Sequence, residues 1–217
     1  VNTENTFVEK GFTMPVQRVC RPSSTFRGFQ GQIESGSIKI GDEIVALPSN
    51  ETGKVTEILD AGKKVTHSSC GHAVTICLNK EVDISRGCVL VHNANPKTGN
   101  LFAVKLLWMD DTHLVAGKNY LLKLGTKLLP AIVMNIKYKI DVNTGNEVYV
   151  DTVYKNEIAV CEIAVSEKIV FEKFKNNQAL GSLILIDRIT NMTSACGIIT
   201  HALRRNDNLT WHEMDIT

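Results

Sequence analysis

The stretch FRGFQGQIESGSIKIGDEIVALPS, residues 26–49, sets Gly31, Gly36 and Gly41 five residues apart with apolar side chains between them. An extended chain puts Phe29, Gly31 and Ile33 on one side and Gln30, Gln32 and Glu34 on the other. Ser35-Gly36-Ser37 then reads as a turn, and IKIGDEIVALPS as the returning strand. No catalytic group accompanies the glycines. Small residues permit tight turns and strong curvature, which is what strands need to close into a small barrel. The stretch therefore predicts architecture, not a reaction.

The same signals extend in both directions. FTMPVQRVC precedes it, and GKVTEILD, HAVTICLN and CVLVHN follow, giving six short strands separated by turn residues. Close spacing of this kind favours a barrel or sandwich over βαβ units. NANPKTGN, 93–100, is polar, carries Pro96 and Gly99, and reads as a linker. A second β-rich series starts at Leu101 and runs through LFAVKLLWM, NYLLKLG, KLLPAIVMNIKYKIDV, EIAVCEIAVSEKIVF, LGSLILIDRIT and SACGIITHAL. The segment from Lys127 to Val142 is long for one strand, so a bend or bulge is expected near Pro130. DTVYKNE is expected to hold a short turn or one helical turn, and no long amphipathic helix stands out. The expected fold is all-β: two consecutive small antiparallel barrels, residues 1–95 and 96–205, with a tail or connector at 206–217.

Apolar residues make up 43% of the 217 and charged residues 22%, enough to bury a core. A net charge of +1 argues against a surface dominated by nucleic-acid binding. No stretch approaches the apolar length that spans a bilayer. The polar start at Val1, without methionine, reads as the cut end of a longer protein. The six cysteines include no CxxC pair and mostly sit in apolar runs, which reads as reduced, buried thiols in a cytoplasmic protein. A metal site from Cys70, His72, Cys88 and His92 is the sharper alternative, but its spacing fits no common zinc pattern.

Chemistry-bearing motifs are missing. There is no GxxxxGK[ST] phosphate loop, GxGxxG, GxSxG or HExxH. The six histidines are scattered. Asp110-Asp111 would point to opposite faces of a strand and so not converge, which favours a solvated turn. Ser182 reads as the start of a strand, and Arg204-Arg205 as a solvated edge or linker. No catalytic, cofactor-binding or metal residue is predicted.

FTMPVQRVCRPSSTFRGFQGQIESGSIKIGDEIVALPS resembles the second domain of a translation-factor-type GTPase, and the spacing of its glycines is similar to that of elongation factor Tu. The order Gly31-Gln32-Ile33, Gly36-Ser37-Ile38, Gly41-Asp42 carries that resemblance. PVQRVCRP, FRGFQG, EVDISRGCVLVH, LFAVKLLWMDDTHLVAGKNYLLKLGT, IKYKIDVNT and ALGSLILIDRITNMTSACGII together resemble the GTPase subunit of bacterial ATP sulfurylase. The chain departs from that family at Cys88, where an acid often stands, and at Ser194-Ala195-Cys196-Gly197.

The resemblance implies domains II and III of an elongation-factor-Tu-like protein. The parent would be a sulfate adenylyltransferase large subunit that hydrolyses GTP. With a small catalytic subunit it would make adenylyl sulfate and pyrophosphate from ATP and sulfate; some members carry a fused adenylylsulfate kinase. GTP and Mg would bind in a nucleotide domain outside this chain, leaving these residues inactive alone. The expected partners are that GTPase domain and the small catalytic subunit, with no membrane and no nucleic acid. Arg27, Phe29, Arg86 and Arg188 are the candidate interface residues, because arginine and aromatic side chains suit interface anchors. The rival from another class is an RNA- or tRNA-binding barrel. Balanced charge and the lack of aromatics clustered on a basic strand weigh against it.

Overall fold

The computed structural model describes residues 10–23 and 26–203. The tail at 206–217 and the pair Arg204-Arg205 lie outside the described residues. The first half contributes β1 (Phe12–Pro15), β2 (Arg18–Ser23), β3 (Phe26–Gln32), β4 (Ser37–Lys39) and β5 (Glu43–Leu47). It continues with β6 (Glu51–Asp60), β7 (Lys63–Val65), β8 (His67–Ser69), β9 (Ala73–Leu78) and β10 (Val89–His92). The order β1-β10-β5-β6-β9-β3-β2 is antiparallel throughout. Thr13 bridges Ser35, and Gln17 N donates to Gln30 O at 2.8 Å, so the chain flanking β1 returns to the chain flanking β3 and the sheet closes.

The second half contributes β11 (Lys97–Trp108), β12 (Leu114–Val115), β13 (Asn119–Leu124), β14 (Lys127–Ile140) and β15 (Glu147–Val148). It ends with β16 (Thr152–Val153), β17 (Ile158–Phe171), the short helix α1 (Gln178–Gly181), β18 (Ser182–Asp187) and β19 (Thr193–Ala202). Six of its strands form a full ring: β13-β18-β19-β11-β17-β14, with β14 paired back to β13. A closed ring leaves no edge for unwanted strand pairing. The all-β expectation of two antiparallel barrels is met.

Each ring has its own core. Phe12, Met14, Phe29, Ile33, Ile44, Ile58 and Ile76 fill the first. Phe102, Trp108, Tyr120, Leu122, Ile163 and Leu185 fill part of the second. There Trp108 meets Tyr120 edge-on at 5.8 Å, and its Nε1 donates to Thr112 O at 2.9 Å, so the one polar atom of the indole is satisfied.

Three local expectations change. The expected bend near Pro130 lies further along: β14 is continuous, and its register slips between Val133 and Asn135 and between Ile136 and Tyr138. Pro130 pairs only with Leu121 of β13, because pairing to β17 begins at Ala131. A proline with a strand on one side only is tolerated without a break. The polar run 93–100 is connector only as far as Pro96, since β11 starts at Lys97. DTVYKNE holds the expected short turn, in which Glu157 N donates to Tyr154 O, but also, ahead of it, the unexpected strand β16, which pairs with β12.

The spaced glycines answer to closure. A Cβ on Gly31 would lie 2.3 Å from the Pro15 carbonyl oxygen, so β3 passes against the end of β1 only because the side chain is missing. Gly36 has φ +69°, and a Cβ there would lie 2.5 Å from Lys10 O. At both positions the obstacle is backbone and cannot swing aside. Gly31→Ala should therefore cost about 3 kcal/mol, the scale of forced overpacking. Gly62→Ala, at φ +78° but with nothing within 4 Å, should cost only about 1 kcal/mol of local strain. Urea unfolding of the two variants checks the order.

Candidate inter-barrel seam and partner interface

Strands buried on both faces mark where the rings meet. In β10, Leu90 points into the first core while Val89 and Val91 point away from it. In β17, Ile169 and Phe171 enter the second core and Val170 points away. Val89, Val91 and Leu47 pack with Val170 and Leu180 into a third apolar cluster between the rings. Each such side chain contributes up to about 1.5–3 kcal/mol on burial. Apolar contact therefore supplies most of the attraction across the seam.

A buried polar chain fixes its alignment. Asn177, the N-cap of α1, accepts Leu180 N on its Oδ1 at 3.1 Å and donates its Nδ2 to Thr13 Oγ1 at 3.2 Å. Thr13 and Ser35 hydroxyls are 2.8 Å apart, and Ser35 Oγ donates to Gly11 O at 2.8 Å. Since the Ser35 proton is committed to Gly11, Thr13 is the donor to Ser35. Thr13, Ser35 and Asn177 are 4%, 3% and 5% exposed, so the bonds Asn177 makes and the Thr13–Ser35 bond are shielded from water, while the bond to Gly11 is part-buried. Lys10 Nζ also reaches across, to Asn176 O at 2.8 Å.

The candidate anchors fall in different settings. Arg27 is half-buried; its Nη2 donates to Ile84 O at 3.4 Å and its guanidinium lies 5.2 Å from the Phe29 ring centre. Arg86 is exposed and donates to Gln17 O at 3.0 Å. Arg27 thus reaches the segment before β10, and Arg86, which lies in that segment, ties it to Gln17 between β1 and β2. Arg188 stands apart, exposed on the β18–β19 turn beside Ile189, which is 89% exposed. Phe29 must be corrected as a surface anchor. It is 1% exposed and packed in the first core, because it shares the inward side of β3 with Gly31.

The remaining polar candidates have separate partners. Asp110 accepts from Ser194 Oγ at 2.7 Å and Thr112 N at 3.0 Å, whereas Asp111 pairs with Lys155 at 2.6 Å. Cys70 bonds Glu34 O, His72 contacts Asp60 at 2.6 Å, Cys88 contacts Ser85 and His92 bonds Glu43 O. Burial pushes the Cys161 thiol up to about 12, which keeps it inert at neutral pH. The turn carrying Arg188 is held by Asp187. Its Oδ1 accepts the backbone amides of Thr190 and Ile189 at 3.0 and 2.9 Å, and its Oδ2 meets Lys118 at 3.1 Å. Those amides, and then Lys118, hold its carboxyl well below the usual carboxylate range.

Residues 101–200 match the family described as GTP-eEF1A C-terminal domain-like. Crystal structures of sup35 with GDP and with GMPPNP superpose with TM-scores of 0.82 and 0.83, over 91% and 92% of this chain and 48% and 49% of theirs. At 23% and 22% identity that likeness is one of fold: the two barrels are arranged as in the matching part of those chains.

Sulfate adenylyltransferase subunit 1 of Saccharophagus degradans is 42% identical over 198 residues, 91% of this chain and 42% of its own length. The bifunctional enzyme NodQ of Rhizobium sp. (strain N33) is 39% identical over all 217 residues, which is 34% of its length. The bifunctional enzyme CysN/CysC of Xylella fastidiosa is 37% identical over 204 residues, 33% of its length. The chain is thus similar over most of its own length to sulfate adenylyltransferase subunit 1 and to these two bifunctional enzymes, and spans less than half the length of each of the three.

Two predictions follow from the seam and the turn. Asn177→Ala removes both an end cap and a cross-seam bond and leaves buried groups unpaired, a loss of about 2 kcal/mol. Calorimetry should show a melting temperature lower by about 4–8 °C. For Asp187, a folded pKa below the ordinary value means stability that is present above about pH 4 and lost as pH falls toward the folded value. Asp187→Asn should flatten the acid limb of a stability–pH profile and leave its shape near neutrality alone.

Proposed function

We propose that this chain is the non-catalytic barrel portion of a GTP-dependent sulfate adenylyltransferase large subunit. The parent, with its small catalytic subunit, converts ATP and sulfate to adenylyl sulfate and pyrophosphate, coupled to GTP hydrolysis. The observation that carries this reading is the 42% identity with sulfate adenylyltransferase subunit 1 across 91% of the chain. The likeness to NodQ and CysN/CysC, both named as bifunctional enzymes, supports a parent that also carries adenylylsulfate kinase. Residues 1–95 and 96–205 act as two domains in this reading, and the protein works in the cytoplasm. Among the described residues no helix is long and apolar enough to cross a membrane.

The barrels' role is mechanical. Loss of a γ-phosphate reorders loops in a nucleotide domain. Two closed rings joined by a packed seam carry that change as a rigid-body displacement. In this reading GTP and Mg bind the rest of the parent, which agrees with a sequence that has no GxxxxGK[ST] phosphate loop. Arg27, Arg86 and Arg188 remain the proposed contacts to that domain or to the small subunit.

Replacing the matching segment of Saccharophagus degradans sulfate adenylyltransferase subunit 1 with this chain tests the reading. GTP-dependent adenylyl sulfate formation by the chimera with its small subunit is the expected result. A chimera that folds and hydrolyses GTP yet makes no adenylyl sulfate would count against it. Transfer RNA that binds the isolated chain tightly, and weakens steeply between low and high salt, would favour the RNA-binding rival instead.

A further inference from the structure

The outside of the second barrel carries an apolar row that its register makes explicit. Ile158 of β17 lies opposite Leu107 of β11, Leu107 opposite Cys196 of β19, Cys196 opposite Ile184 of β18, and Ile184 opposite Lys123 of β13. One step along, Lys105 lies opposite Ile198, which lies opposite Ser182. These side chains stand on the outer face, since their neighbours Leu106, Leu122, Leu183, Leu185 and Ala195 fill the core. They line a groove of about 580 Å³. Its lining includes Lys105 and Lys123 and no carboxylate, and neither lysine has an ion-pair partner among the described residues.

We propose that this groove is the docking site for an acidic amphipathic helix of a partner polypeptide. Three observations select that occupant. The ring is closed, so an added strand would find side chains and no free backbone edge; only a segment that satisfies its own hydrogen bonds can lie on this face. Five strands at about 4.8 Å spacing make the row roughly 19 Å long, the length of a helix of about 13 residues. The two unpaired lysines call for carboxylates flanking the apolar stripe. The inference rests on the register and charge of the barrel, independently of the reaction proposed above.

The test uses the 217-residue chain and a fluorescent, hydrocarbon-stapled peptide of about 15 residues, with Leu at i, i+3, i+4 and i+7 spacing and Glu on its flanks. Saturable binding is expected, about tenfold tighter than for the same peptide with Lys in place of Glu. Lys105→Glu with Lys123→Glu should reverse that preference. Leu107→Glu with Ile184→Glu should abolish binding; both side chains lie outside the core, and an unchanged β-sheet circular dichroism spectrum confirms the fold.

No saturation below about 1 mM, or binding that the variants leave unmoved, overturns the proposal. So does co-sedimentation with phosphatidylglycerol vesicles that Leu107→Glu abolishes, which would assign the groove to membrane. A dimer in sedimentation velocity that Leu107→Glu dissolves would assign it to a second copy. Peptide binding only after removal of residues 204–217 would assign it to the chain's own tail.

Discussion

One asparagine holds two structures at once. Asn177 closes the first turn of α1 with its carbonyl oxygen and grips Thr13 with its amide nitrogen, across a separation of 164 residues. The helix is a single turn and could not stand alone in water. It exists because the seam buries Leu180 beside Val89, Val91 and Val170. The apolar cluster supplies the larger energy, and the Asn177–Thr13–Ser35–Gly11 chain selects one alignment. A slip of the two rings would strand several buried polar groups at about 1–3 kcal/mol each. That penalty turns two barrels joined by a short connector into a coupled pair.

Closure of each ring makes the coupling useful. Gly31 lets β3 run against Pro15, and β13 joins β14 to complete the second ring. A closed ring resists bending, so displacement at one side is delivered to the other. A switch domain elsewhere in a longer protein would need this property from the parts it moves. The same closure leaves only side-chain faces for partners, which is why the row from Ile158 to Ile184 calls for a helix.

Much of the fold was legible because it depends on local pattern. Alternation in residues 26–34 named β3, and the turn glycines named a small barrel. The alternation also held the correction to Phe29. A residue on the side of Gly31 and Ile33 faces the core, and its aromatic character did not make it an anchor. The continuous apolar run Val89-Leu90-Val91, expected only as a short strand, is covered on both faces and is the seam's one local trace in the sequence. The rest was not local. Asn177 acts on a residue far away in the chain, and the outer apolar row exists only once five strands are paired in register. Pro130 misled because a proline's effect depends on which neighbour it lacks. Arg27, Arg86 and Arg188 stand out in the sequence by residue type, and type alone does not say which face a side chain occupies.

Residual dipolar couplings of backbone amides in the 217-residue chain test the rigid pair most directly. Couplings from residues 12–92 and from 97–202 should fit one alignment tensor, with the barrels oriented as the seam dictates. Two tensors of different magnitude or orientation would contradict it, because they would mean that the barrels tumble separately despite Asn177.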